Sequence, residues 1–375
     1  MTDFLNISPR TDAVQEMHGH GIDHPHDTWV RNLEATAALL IALGSLLTFA
    51  AGVGAIPDAG VARWAQDCLF PLQFPVFFFC TGYLYQRYRT VRTRRAWALN
   101  LRREAVVLLV PFAVFTVLGL AAGSLTGTAR TLTLPEVARA LFLEPVAPLG
   151  YFYTCFLLYV ITPTPISRRN AYGLVLAAVA CKIAIVVLWA LPSTAPVAAA
   201  LPYAVSSVAE NWIWFAGGIA IALLRALPLM RSREKAWALG ALWIAASIIT
   251  FTAGWIGEAS HAILDAIGIM WVVSLFSTLF RSGMQNRFYG FVSRYTMAFW
   301  LMAPLCLRLL FFLLVSLGVP PVAPWACLGL GALVCFGAPV ALMAGLSRLG
   351  SLGFIVYPGR YLAPVPAPIA KNPKL

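Results

Sequence analysis

Long apolar runs separated by short polar stretches dominate the chain from residue 35 onward. Runs close to the roughly 20 residues needed to cross the hydrocarbon core of a bilayer lie at 35–54, 68–86, 105–125, 148–164, 171–191, 209–227, 236–255, 260–280, 295–317 and 323–346. The pattern predicts an all-α, polytopic transmembrane helix bundle of about ten spans. The fourth run, PLGYFYTCFLLYVITP, is short and aromatic. A further piece, APVAAALPYAV at 195–205, is too short to span and contains Pro202, so it reads as a re-entrant or interfacial segment.

The polar stretches orient the bundle. Arg87, Arg89, Arg92, Arg94, Arg95, Arg102 and Arg103 follow the second run, and Arg168 and Arg169 follow the fourth. Arg231, Arg233 and Lys235 follow the sixth, and Arg281 and Arg287 the eighth. The alternate connections hold only Arg63, Arg130 and Arg139. Positive charge marks the cytoplasmic side, so both termini are expected in the cytoplasm.

Composition agrees, with 60% hydrophobic and 11% charged residues against about 25% charged in an ordinary soluble domain. The net charge of +12 raises nucleic acid as a partner, but the basic residues sit in short interhelical stretches, where membrane topology explains them. Three parts are expected: a polar tail at 1–30, a transmembrane domain at 31–348 and a proline-rich tail at 349–375. The first spanning run is expected to act as the insertion signal, because no small-residue cleavage site follows residues 1–30. No internal repeat of the kind that marks inverted-repeat transporters is evident.

Ionisable residues inside spans are costly and are functional candidates by default. Arg31 and Glu34 lie three apart at the start of the first span, on one helical face. Lys182 lies in the fifth span, Glu210 begins the sixth, and Arg308 is mid-run in the ninth. His261 and Asp265 are four apart in the eighth, more often a hydrogen-bonded pair than a proton-handling dyad. Cys68, Cys80, Cys155, Cys181, Cys306, Cys327 and Cys335 lack zinc-like spacing and read as buried thiols. His18, His20, His24 and His26 form a histidine-rich tract without the spacing of a closed zinc site, so no metal is expected. Seven arginines within 87–103 exceed what topology needs, which makes a phosphate-bearing ligand, a coenzyme A thioester or an anionic lipid, a candidate there.

Several segments, in order, resemble the acyltransferase-3 family of bacterial membrane O-acyltransferases. They are WVRNLEATAALLIALGSL at 29–46, FPVFFFCTGYLYQR at 74–87, LRREAVVLLVPF at 101–112, LGYFYTCFLLYVITP at 149–163, NWIWFAGGIAIA at 211–222 and SRYTMAFWLMAPLCL at 293–307. The most specific is the aromatic run Phe77, Phe78, Phe79 followed by Thr81, Gly82 and Tyr83. The resemblance covers most of the chain. It implies a multi-pass protein of the bacterial inner membrane that moves an acyl group, acetyl foremost, from an acyl-CoA donor to a carbohydrate hydroxyl of a surface or exported polysaccharide. Membrane lipid and polysaccharide synthesis or export proteins are the implied partners.

The chain departs from that family where its histidines belong. The first-helix histidine position holds Ser45 and the basic position Glu34, Ala303 stands before Pro304, and Leu149 and Gly150 replace a histidine and tryptophan. Acyl transfer needs a base or nucleophile and an oxyanion stabiliser. The candidate catalytic residues are therefore Ser45, Glu34 and Arg31, and the candidate donor-binding residues Arg102, Arg103, Thr81 and Tyr83. Ser45 and Glu34 are eleven residues apart, about 16 Å along a helix, so they cannot touch. The alternatives are a catalytically inactive subunit of a polysaccharide complex and, further off, a small-molecule transporter.

Overall fold

The computed structural model describes residues 27–56, 59–91, 93–125, 132–146, 148–253, 258–283, 286–320, 322–348 and 353–362, and every regular element among them is helical. In chain order these are α1 (Thr28–Gly52), α2 (Ala59–Leu69), α3 (Phe74–Tyr88), α4 (Arg94–Glu104), α5 (Val110–Leu125), α6 (Leu134–Phe142), α7 (Gly150–Ile161), α8 (Arg168–Ala190) and α9 (Ala195–Ala200). There follow α10 (Tyr203–Leu223), α11 (Leu227–Met230), α12 (Arg233–Thr252), α13 (Glu258–Leu279), α14 (Arg287–Arg294), α15 (Thr296–Ser316), α16 (Pro324–Arg348) and α17 (Gly353–Val356). The histidine tract and the last residues of the proline-rich tail, 363–375, lie outside the described residues.

Among the described residues, seven helices are long and apolar enough to cross a bilayer. They are Thr28–Gly52, Arg94–Leu125, Arg168–Ala190, Tyr203–Leu224, Ser260–Leu279, Thr296–Ser316 and Pro324–Leu346. Large apolar side chains stand exposed on the outside of the bundle, among them Leu176, Ile183, Trp237, Ile244, Leu313 and Leu333. Backbone groups in hydrocarbon must be satisfied internally, and continuous helices do that.

Two expected spans are shorter than their apolar runs. The second run is broken by Pro71 and Pro75, which cannot donate backbone hydrogen bonds. It ends α2 at Leu69, passes through a 3-10 turn at Phe70–Leu72 and resumes as α3, 15 residues long. The fourth run forms α7, only 12 residues and about 18 Å, because Pro163 and Pro165 lie just beyond its end. One half of α7 is nonetheless deeply buried, with Phe152, Cys155, Leu158 and Tyr159 in the core.

The arginine-rich stretch expected as a loop is in large part helix. Thr93 caps α4, its side chain accepting from the Ala96 amide at 3.2 Å. The Ala, Leu and Arg that follow are strong helix formers. A π turn at Ala105–Leu109 joins α4 to α5, giving one helical segment of 32 residues. Such turns relax the i, i+4 ladder and are common beside functional sites.

The core is an aromatic and aliphatic cluster shared by α1, α3, α5, α7, α10, α13 and α15. A second cluster joins the far half of α1 to α15 and α16 through Leu46, Phe49, Ala303, Leu307 and Cys335. At the break before α3, Gln73 donates through Nε2 to the Leu40 carbonyl of α1 at 2.8 Å. Gly44 faces the same amide, leaving room for it to approach. Gln73→Leu is expected to remove this tie and cost about 1 kcal/mol. The measurement is the thermal unfolding midpoint in detergent, and an unchanged midpoint would show the tie to be idle.

Candidate functional site

Glu34 sits two turns into α1 and is only 6% exposed. It lies close enough to act electrostatically on Cys80 of α3 and on Tyr151, Cys155 and Tyr159, which recur every fourth residue along one side of α7. Thr81 of α3 shares a hydrogen bond with the Tyr151 hydroxyl at 3.0 Å. Three helices thus converge on a carboxylate, a hydroxyl pair and two thiols.

An aromatic wall closes this cluster. The Trp300 ring lies 4.2 Å from Phe77 and 4.3 Å from Tyr151, centroid to centroid. Phe78 meets Tyr151 at 4.6 Å. Pro304 lacks the amide that would bond the Trp300 carbonyl one turn earlier, which loosens α15 at this residue. The Trp300 Nε1 is buried with no hydrogen-bond partner among the described residues. A cavity of about 10 Å³ is lined by Phe77, Val107, Leu108, Tyr151, Phe152, Met297 and Trp300. Val107 and Leu108 belong to the π turn, so the irregular backbone lies against the wall of the site.

A polar layer covers the basic end. Asp27, 4% exposed, accepts from Arg87 Nε at 2.9 Å and from the Tyr83 hydroxyl at 3.4 Å. The Trp29 ring meets the Tyr83 ring edge-on at 5.1 Å. Beside them Arg89 pairs with the fully buried Glu104 and donates from Nη1 to Asn100 Oδ1 at 3.3 Å. Burial lowers the pKa of Arg89 to about 10, which leaves it charged at neutral pH. Arg103, half-buried, lies near enough to act on Arg89, while Arg102 on the same helix is exposed.

The residues expected from the sequence therefore fall into separate groups. Glu34 is brought to the Tyr151 side of α7, where Thr81 also points. Tyr83 joins Asp27 and Arg87 in the polar layer, with Arg103 near Arg89 beside it. Ser45 is outside both groups: its hydroxyl donates to the Ile41 carbonyl of its own helix at 3.1 Å. Arg31, one turn from Glu34, is half-buried. Lys182, His261 and Arg308 are half-buried on α8, α13 and α15, and Asp265 is buried on α13.

Asp27, Tyr151, Glu104 and Asn100 are not among the residues that stand out in the sequence, and Cys155 reads there only as a buried thiol. Asp27 and Arg87 are sixty residues apart, and no local spacing links them. Glu104 did carry a signal, being an acid inside the run of arginines that leads into an apolar span. Comparison of this chain with models of known protein families, with characterised proteins and with solved structures finds no match.

Proposed function

We propose that the chain is a membrane O-acyltransferase in which Glu34 is the general base. The observation that carries the reading is a carboxylate enclosed by α1, α3 and α7, with hydroxyl groups beside it. Enclosing a carboxylate in a membrane bundle costs several kcal/mol. Glu34 takes the proton of an acceptor hydroxyl as that oxygen attacks the thioester carbonyl. The C–O bond forms, the C–S bond breaks, and the departing thiolate takes up the proton to leave as free coenzyme A. Tyr151, bonded to Thr81, is the hydroxyl positioned to steady charge on the carbonyl oxygen.

The donor is an acyl-CoA, acetyl-CoA first, whose phosphates meet Arg102 and Arg103 on the cytoplasmic face; the acceptor is a carbohydrate of an exported or surface polymer. In this reading α3, α7 and α12 join the seven long helices to make ten crossings, both termini are cytoplasmic, and the membrane is the bacterial inner membrane. The resemblance of the aromatic run at 77–83 to the acyltransferase-3 family supports the same choice. A catalytically inactive subunit of a polysaccharide complex is the second reading, favoured by Ser45 at a family histidine position with its hydroxyl turned back on α1.

Purified protein in lipid nanodiscs is given acetyl-CoA and longer acyl-CoAs, and free thiol release is followed with and without carbohydrate. Release above the protein-free rate is expected. No release from any donor favours the inactive subunit. The double charge reversal Arg102→Glu with Arg103→Glu is expected to raise the donor KM at least tenfold with kcat within about twofold, as for lost ground-state contacts. An unchanged KM removes the arginines from the donor site.

A further inference from the structure

The eight-residue helix α14 joins Ser260–Leu279 to Thr296–Ser316, two helices long and apolar enough to cross the bilayer. It therefore lies at one end of the bundle, at the level where headgroups begin. Its inner side is fixed. Asn286 caps it, accepting from the Phe288 amide at 3.1 Å, and the Tyr357 hydroxyl donates to the Arg294 carbonyl at 3.1 Å. Val292 and Ser293 are buried, and the Tyr289 ring meets the Phe280 ring edge-on at 5.2 Å. The outward side carries Arg287, Phe288, Phe291 and Arg294, spaced three and four apart on one helical face. Phe288 is 55% exposed and Phe291 47%, and both arginines are exposed. Exposed Arg281 precedes the helix, and exposed Arg348 ends α16, which packs back along α15 to the same end. No acidic residue follows Asp265 in the chain. Among the described residues, no carboxylate pairs with Arg281, Arg287 or Arg294.

We propose that α14 lies in the membrane interface and binds anionic phospholipid, with Phe288 and Phe291 at the boundary of headgroups and acyl chains and Arg287 and Arg294 on the phosphates. Both kinds of side chain are needed to choose this partner. Exposed aromatic rings are costly in water and favourable at that boundary. Guanidinium groups match phosphate oxygens with paired hydrogen bonds, and their long stems let the charged heads rise to the phosphates while the rings go down. A soluble phosphate compound would engage the arginines and leave both phenylalanines in water. A second copy of the chain, meeting this one about a two-fold axis, would bring an identical basic face against it. An anionic headgroup is favoured over a zwitterionic one because the surrounding arginines have no acid to balance them, and each basic residue near an anionic surface is worth roughly a fivefold gain. The proposal rests on no part of the acyl-transfer reading.

The test uses the full chain in phosphatidylcholine nanodiscs holding a trace of one of two probes. These are phosphatidylglycerol and phosphatidylcholine with identical chains, each bearing a diazirine close to the glycerol. After irradiation, labelled peptides are mapped by mass spectrometry. Residues 281–295 are expected to take up the phosphatidylglycerol probe about fivefold or more over the phosphatidylcholine probe. The exposed apolar faces of α8 and α12, around Ile183 and Ile244, should take up both alike and serve as the reference in the same sample. Arg287→Gln combined with Arg294→Gln is expected to bring phosphatidylglycerol labelling at 281–295 down to the phosphatidylcholine level, with the reference labelling unchanged. Phe288→Ser combined with Phe291→Ser should lower labelling there by both probes. Equal labelling of 281–295 by the two probes in the parent protein overturns the proposal, as does a preference that survives loss of both arginines. So does an unlabelled α14 beside labelled α8 and α12, which would turn this face away from the bilayer.

Discussion

Glu34→Gln is expected to lower acyl transfer by a factor on the order of 10² to 10⁴, the usual loss when a positioned base is removed. Glutamine keeps the shape and two hydrogen-bonding atoms but cannot take a proton, so the bundle should still fold. Ser45→Ala is the matching control. Its hydroxyl is spent on the Ile41 carbonyl and lies about 16 Å along α1 from Glu34. Turnover within about twofold of the parent is expected. If Ser45→Ala is dead and Glu34→Gln is active, the centre has been placed at the wrong end of α1. A Glu34→Gln protein that has lost donor affinity as well as rate would point to a structural role for the carboxylate.

Much of the helical architecture can be read in the sequence because apolar run length is a one-dimensional signal. The runs at 105–125, 171–191, 260–280, 295–317 and 323–346 lie on helices whose ends differ from them by a few residues, apart from the extension of the first through α4. The failures have local causes. α10 begins at Tyr203, so the polar face carrying Tyr203, Ser207 and Glu210 was divided between an apparent interfacial piece and a span, which hid its periodicity. The prolines after α7 shorten it without making its sequence less apolar. The π turn at Ala105–Leu109 has no turn residues to announce it, being built from Ala, Val and Leu.

The site was legible only where a residue is conspicuous on its own. Glu34 stands out as an acid in an apolar run, and Thr81 as part of an aromatic motif. Tyr151 and Cys155 look like ordinary core residues of an aromatic helix, and only the arrangement of α7 against α1 and α3 gives them polar company. Asp27 precedes the first apolar run, where a polar residue is unremarkable, and becomes meaningful through Arg87 and Tyr83.

The largest stability effect is expected at the crossing of α3 and α10. A methyl group placed on Gly82 falls on the Phe215 carbonyl, and one placed on Gly218 falls on the Phe79 carbonyl. Both obstacles are main-chain atoms, so no rotamer change relieves them and the helices must separate. Small residues serve this purpose in membrane bundles, where close backbone approach replaces the hydrophobic driving force. Gly82→Ala and Gly218→Ala are each expected to cost about 3 kcal/mol or more, at the upper end for overpacked sites. Gly173→Ala on α8, which has open space around it, should be neutral or stabilising through helix propensity. The two clashes lie at one crossing, so separation forced by the first methyl makes room for the second. The double variant should then cost clearly less than the sum of the singles. Thermal unfolding in detergent reads all four proteins, and midpoints for the Gly82 and Gly218 variants equal to that of Gly173→Ala would disprove the close approach. Because Cys80 and Thr81 directly precede Gly82 on α3, displacing that helix also pulls one wall away from Glu34. Residual folded protein should therefore lose acyl transfer out of proportion to the fraction unfolded, tying the packing of two glycines to the chemistry of the carboxylate.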